Sequence, residues 1–236
     1  KKPYHTIYDG AVGSAGFLIQ AFDYLMQNKQ EYSTTQLKHI KEEMFFGNEK
    51  TPLAYVMGVM NMILHGIESP NIYKLNTLTQ NIRDFQEKDR YTYILANPPF
   101  GGKEKSTVLN NFIVESTATE LLFLQHFMKK LALGGHCAIV IPEGVGMPSV
   151  LENLMDFYSH ESCGQCTPCR EGTGWLYKMS KHILKGNATK AEFERINTVA
   201  NNMRGKTICV LSDAAADPAR AIIAKYAHEF EPYLKG

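Results

Sequence analysis

The chain has 236 residues, 44% hydrophobic and 21% charged, enough for one large domain or two modest ones with buried cores. Its 25 basic and 24 acidic residues leave a formal charge of +1, which excludes a global pull toward polyanions: contact with DNA would need a local patch or a partner. No apolar run approaches the ~18 residues of a membrane span, and the opening "KKPYHTIYDG" lacks the apolar core of a signal peptide, so it reads as mid-domain sequence entering a strand in a cytoplasmic protein.

Along roughly the first 150 residues, short apolar runs alternate with helical patterns, the signature of βαβ units and a parallel sheet. The expected strands are "HTIYDG", "EMFFGNE", "NIYKLN", "YTYILANP" and "HCAIVIPEG". Between them the spacing predicts helices over 15–28, over 32–43 with a Ser33–Gln36 capping box, over 51–66 with Thr51 as N-cap, Pro52 at N1 and Gly66 as stop, and over 117–135 stopping at Gly134. After about residue 150 the texture becomes helical: 149–160, 172–186, 189–205 with a Thr189–Glu192 capping box, and 217–234, with "KTICVLSD" alone looking extended. The join falls within "IPEGVGMPSV".

Two stretches of the first half carry chemistry. In "YDGAVGSAGFLIQAF" a strand ends at Asp9 and a helix begins near Ala15, and Gly13 and Gly16 allow close approach of backbone to a ligand at the C-terminal edge of the sheet. Alone this is a weak signal, shared by many tight strand-to-helix connections. "NPPF", Asn97 to Phe100, is more specific. Pro98 and Pro99 stiffen the backbone and remove two N–H donors, leaving the Asn97 side-chain carbonyl and the Pro98 carbonyl as acceptors for an exocyclic amine. Phe100 is placed to stack on a base drawn out of a duplex. The competing reading is a rigid turn after a strand.

The five cysteines are Cys137, Cys163, Cys166, Cys169 and Cys209. Cys137, in "HCAIVIP", is expected to be a buried core thiol. The others read C-x2-C-x2-C followed, forty positions after Cys169, by a remote thiol, a pattern that suits a cubane [4Fe-4S] cluster. Zinc is the competitor, since four cysteines also make a closed tetrahedral site, but such sites more commonly use two separate pairs. Gly164 and Gly172 are expected to let the ligand loop wrap and Pro168 to stiffen it. Radical methylation does not fit, because four thiols leave no open iron.

"DGAVGSAGF", "NMILHGIE", "ILANPPFG" and "FLQHFMKKLALGGHCAIVIPEGV" resemble the modification subunit of type I restriction-modification systems, S-adenosylmethionine-dependent N6-adenine DNA methyltransferases. The resemblance covers residues 4–146. It implies that the Asp9–Phe17 turn (Asp9, Gly13, Ser14, Gly16, Phe17) cradles the methionine part of the cofactor and that Glu49 meets the ribose hydroxyls. It also implies that Asn76 lies by the cofactor adenine and that Asn97, Pro98, Pro99 and Phe100 hold the target adenine, with DNA reached through a separate specificity subunit. Gly10 and Val12 replace the family's usual Pro and Cys, and Asn76 replaces an acid. The family's N-terminal helical region and its last two strands are not represented.

"FYSHESCGQCTPCREGTGW" with "KTICVLSDAAADP" resembles the C-terminal iron–sulfur domain of the NADH-binding flavoprotein subunit of respiratory complex I, over about residues 150–236. This implies a [4Fe-4S] cluster on Cys163, Cys166, Cys169 and Cys209 and, as partners, other subunits of an NADH-oxidising complex; no flavin or NADH segment is present. The expected fold is therefore α/β, a truncated doubly wound methyltransferase sheet over 1–146, followed by a small all-α iron–sulfur bundle over 147–236. Three functional readings stand open: a hybrid of the two, an electron relay on an inactive scaffold, and a chimeric or artefactual chain with neither activity.

Overall fold

The computed structural model describes residues 5–101, 104–114, 116–141 and 146–235. The chain divides into two compact units, Lys1–Ile141 and Pro142–Gly236. The join around 142–145 lies outside the described residues.

The first unit runs β1 (Ile7–Asp9), α1 (Gly16–Met26), α2 (Thr34–Glu42), β2 (Phe45–Glu49), α3 (Pro52–Leu64), β3 (Asn71–Lys74), β4 (Tyr91–Ala96), α4 (Ser106–Leu109), α5 (Thr119–Lys130) and β5 (Leu131–Ile139). The sheet order is β3-β2-β1-β4-β5, with every pairing parallel, and the registers set Ile7 opposite Phe45 and Tyr93, and Ile94 opposite Cys137. Strand order reverses between β1 and β4. A crevice opens at such a switch point beyond the carboxyl ends of the strands, which here end in Asp9 and Ala96. One sheet face packs Ile7, Phe45 and Ile72 against Leu18, Ile19 and Phe22 of α1 and Met62 of α3. On the other, Tyr8 stacks on Tyr91 at 4.6 Å and meets Phe127 of α5 edge-on.

Local signals explain several boundaries. Ser33 caps α2: its Oγ accepts from Gln36 N at 3.3 Å, and Gln36 Oε1 accepts from Ser33 N at 2.9 Å. Pro52 opens α3, and Gly66 follows it with φ 96°, a left-handed position where glycine carries no Cβ penalty. The helix expected over 117–135 differs. It ends at Lys130, and Leu131 pairs directly with Tyr91. Gly134 (φ 74°) is not a helix stop; it sits in the irregular stretch between the Tyr91–Leu131 and Tyr93–His136 pairs. Cys137 is exposed rather than buried, in a strand whose side chains are exposed or half-buried on both faces of the sheet.

The second unit is a bundle of α6 (Met147–Glu161), α7 (Thr167–Leu184), α8 (Lys190–Met203) and α9 (Leu211–Phe230). A two-residue pairing of β6 (Ala188–Thr189) with β7 (Leu234–Lys235) ties its end. Its core includes Leu151, Met155, Leu176, Ile196, Ala216 and Phe230. The Thr189–Glu192 capping box is formed, with Glu192 Oε2 accepting from Thr189 N at 2.8 Å. "KTICVLSD" is not extended: it bends through 207–209, and Leu211 already starts α9, six residues before the expected 217. Ser212 Oγ donates to Met203 O at 2.9 Å, which ties this start to the end of α8. Gly172 lies inside α7 and not in a loop. A Cβ there would stand 2.4 Å from Met203 Sδ, so this glycine sets the close approach of α7 and α8.

Candidate functional site

In the first unit the β1–α1 turn is held from three sides. Asp9 is buried, and its Oδ1 accepts from Ala11 N at 2.9 Å. Burial pushes its carboxyl up to about 7; the Ala11 N–H opposes this and the nearby charge of Glu49 adds to it. Val12 N donates to Asn48 O at 3.1 Å, and Gly13 N donates to Glu49 Oε2 at 2.9 Å. Glu49 Oε1 accepts from Thr51 N at 2.7 Å, so one carboxylate joins the turn to the start of α3. Asn61 Nδ2 of α3 reaches Ser14 O at 2.9 Å. Gly58 lets α3 approach the turn, since a Cβ there would stand 2.7 Å from Gly13 O. Gly13 and Ala15 are left-handed, with φ 55° and 64°.

Two cavities flank this turn. One, of about 430 Å³, is lined by Gly13, Glu49, Asn76, Asn97 and Pro99 among others. The other, of about 550 Å³, is lined by Asp9, Ser14, Gly16, Phe17, Asn61 and Asn97. Asn97 borders both and stands exposed at the end of β4. Pro98 is buried and Phe100 is 55% exposed; neither borders these cavities. Asn76 is turned to its own backbone, its Oδ1 accepting from Leu78 N at 3.2 Å.

Sequence reasoning missed the supports beneath the pocket. Glu120, buried on α5, accepts a hydrogen bond from Gly101 N and so fixes the loop behind Phe100. A lone acid in the apolar run "ELLFLQHF" was the available signal. Thr77 Oγ1 donates to Gly10 O at 2.6 Å. Asn48 Nδ2 donates to Tyr8 Oη at 2.8 Å, and that hydroxyl lies 3.2 Å from His126 Nε2. Burial holds His126 down to about 3, with Lys130 adding, so its ring is neutral and able to accept from Tyr8.

In the second unit the three close thiols lie at the start of α7. Cys163 is exposed in the preceding loop, Cys166 is the N-cap and Cys169 is buried in the first turn. Gly164, at φ 79°, turns the loop, and Arg170 Nη1 donates to its carbonyl at 2.9 Å. Ser162 Oγ lies 3.4 Å from Cys169 Sγ. Cys209 is exposed in the loop before α9, its carbonyl accepting from Thr207 Oγ1 at 2.8 Å. Burial pushes the Cys169 thiol up, the Ser162 hydrogen bond lowers it, and the charges of Cys209, Cys163 and Cys166 raise it further.

Among the described residues, no three His, Cys, Asp or Glu side chains gather round one ion position. A cubane spreads its four sulfur ligands over four irons, so its thiols need not meet at a single ion. The donor set is all thiol, and Ser162 Oγ beside the buried Cys169 sulfur is the kind of donor that a cluster ligand takes. No helix among the described residues is long and apolar enough to cross a membrane.

Residues 1–149 match the N-6 DNA methylase family model, and residues 149–233 match that of the NADH-ubiquinone oxidoreductase-F iron-sulfur binding region. A solved type I restriction-modification system structure is similar to the chain at 39% identity and a TM-score of 0.59, over 65% of this chain and 32% of that one. The type I restriction enzyme EcoKI M protein gives 28% identity and a TM-score of 0.54, over 61% and 31%. The NADH-quinone oxidoreductase F polypeptide of Rickettsia felis is 43% identical over 44% of this chain and 25% of its own length. The mitochondrial NADH dehydrogenase [ubiquinone] flavoprotein 1 of Dictyostelium discoideum is 42% identical over 44% and 22%. The chain thus spans about a quarter of the curated relatives and about a third of the solved methyltransferase relatives. The expected hybrid is borne out: the chain belongs to the N-6 DNA methylase family, and it carries behind that region an iron–sulfur region like that of the NADH-quinone oxidoreductase F polypeptide.

Proposed function

We propose that the second unit holds a [4Fe-4S] cluster on Cys163, Cys166, Cys169 and Cys209 and serves as a one-electron relay. The observation that carries this reading is the placement of Cys163, Cys166 and the buried Cys169 at the start of α7, inside the region that matches the iron-sulfur binding family model together with Cys209. Such a cluster, when bound, takes up and gives up single electrons. The chain's own contribution is to shield the third ligand and to aim the Ser162 hydroxyl at its sulfur, a contact that tunes the potential. Redox partners would be other subunits of an NADH-oxidising assembly, in the reducing surroundings of the cytoplasm that free thiols require. The test is iron, zinc and sulfide analysis of anaerobically purified protein. About four irons and four sulfides per chain are expected; one zinc in a colourless protein would overturn the assignment.

The first unit is read as an S-adenosylmethionine pocket at the β1–β4 switch point. Asp9, Gly13, Ser14, Gly16 and Phe17 would line the methionine side, and Glu49 and Asn76 the nucleoside side. The cofactor supplies an electrophilic methyl group. The Asn97 carboxamide and the Pro98 carbonyl would accept the hydrogens of an adenine amine and orient its lone pair, and Phe100, exposed, would stack on the base. A separate specificity subunit would bring the DNA. Titration with S-adenosylmethionine tests the pocket, with no heat or protection at millimolar ligand as the adverse result.

A further inference from the structure

Six large apolar side chains of α3, Leu53, Val56, Met57, Met60, Ile63 and Leu64, point outward, each between 43 and 79% exposed. At 100° per residue they fall in one unbroken stripe about 120° wide. No polar side chain interrupts it, and no charged residue occurs anywhere in α3. The opposite face is already engaged: Met62 lies in the core, Gly58 meets the cofactor turn and Asn61 binds Ser14. A helix that is apolar on every side is normally covered on every side.

We infer that this stripe is an interface between two copies of the chain, α3 packing on α3 about a twofold axis. This goes beyond the cofactor pocket and the thiol centre and depends on neither. Three considerations select a second copy. Leu53, Met57, Met60 and Leu64 follow one another at intervals of four, three and four, the spacing of a helix–helix seam. The stripe bears no charge, so two copies meet without repulsion, and a partner chosen by charge would find nothing to read. The area also suffices: the six side chains offer roughly 600 Å² per copy, so a twofold pair withdraws roughly 1,200 Å², the lower edge of specific interfaces. An antiparallel arrangement sets the N-terminus of each helix beside the C-terminus of the other, which the helix dipoles favour, and places Met57 and Met60 at the axis. Methionine suits that place, because its unbranched side chain adapts to a facing copy of itself.

The test uses the full chain. Sedimentation velocity over about 1–100 µM is expected to show a monomer passing to a dimer, the weak association of interfaces at the small end of the specific range. Hydrogen exchange of the peptide covering 52–64 should slow over the same range. Met60→Glu should leave the far-ultraviolet circular dichroism unchanged and abolish both effects. A mixture of Met60→Glu with Met60→Lys should restore the dimer, which neither variant forms alone. A monomer at every concentration overturns the inference. So does a dimer that Met60→Glu leaves intact, since that places the contact elsewhere. A monomer whose 52–64 peptide is protected only by phospholipid vesicles overturns it in favour of a membrane surface.

Discussion

Replacing Gly47 by alanine probes how tightly the β1–α1 turn is clamped. An added Cβ would stand 2.1 Å from Val12 Cγ2 and 3.0 Å from Asp9 O. Carbon atoms settle at about 3.5 Å or more, so the valine methyl must retreat by about 1.4 Å. Val12 has little room to do so. It is 5% exposed, its χ1 is stiff, and its other methyl already faces Gly58, whose own Cβ would lie 3.4 Å away. The turn itself must therefore shift, which loosens the Val12–Asn48 and Gly13–Glu49 hydrogen bonds. Overpacking of this kind costs about 1–3 kcal/mol, against which alanine recovers about 0.5–1 kcal/mol of glycine's strand penalty. A net loss of about 1–2 kcal/mol is expected in urea unfolding, with faster hydrogen exchange over residues 7–15 and 45–51. Val12→Ala should rescue Gly47→Ala, giving a coupling of at least about 1 kcal/mol in a double-mutant cycle. Gly16→Ala, whose Cβ would meet nothing within 4 Å, is the matched control. The reasoning fails if Gly47→Ala lies within about 0.5 kcal/mol of the parent and Val12→Ala adds no rescue.

Further outcomes follow from the same geometry. Asp9 titrates at about 7 when folded, chiefly through burial, and at about 3.9 unfolded. Between these values only the folded state keeps the proton, so the stabilisation is complete below about pH 4 and is lost as pH rises through 7, a fall on the order of 4 kcal/mol. Asp9→Asn should flatten that part of the stability–pH profile, and parallel profiles for the two proteins would contradict the assignment. Cys209→Ser should lower the iron content and bleach the visible absorbance of the anaerobic protein; an unchanged spectrum would remove Cys209 from the ligand set. Thr189→Ala should cost about 1 kcal/mol in unfolding of the second unit through loss of the capping box, and Thr189→Ser should retain most of it.

Where a signal is local, it is legible in the sequence. The capping boxes at Ser33 and Thr189, and Pro52 and Gly66 around α3, each act within a few residues, and each is found where the pattern expects it. The misreadings share a long-range cause. "LALGG" continues a helical pattern, but pairing of Leu131 with Tyr91 forty residues away draws it into β5. Cys137 sits in an apolar strand, and how far such a strand is buried depends on what packs over its two faces. Gly172 reads as a loop residue because its partner, Met203, belongs to another helix. Glu120 and Thr77 support the pocket through single hydrogen bonds to Gly101 and Gly10, contacts that no periodicity encodes. Asn97 and Glu49 are legible as strand ends, and it is the sheet order that brings both to the same cavity.

The outer flank of β5 has a practical consequence. Among the described residues this nine-residue strand pairs with β4 alone, and Leu133 and Val140 stand exposed near its two ends. Its free amides and carbonyls are a ready template on which any extended segment, including one from a partly unfolded neighbour, can continue the ladder. Concentrated stocks will therefore be prone to ordered aggregation that salt does little to suppress. A lysine in place of Leu133, placed beside the open ladder, is the natural way to lengthen their useful life.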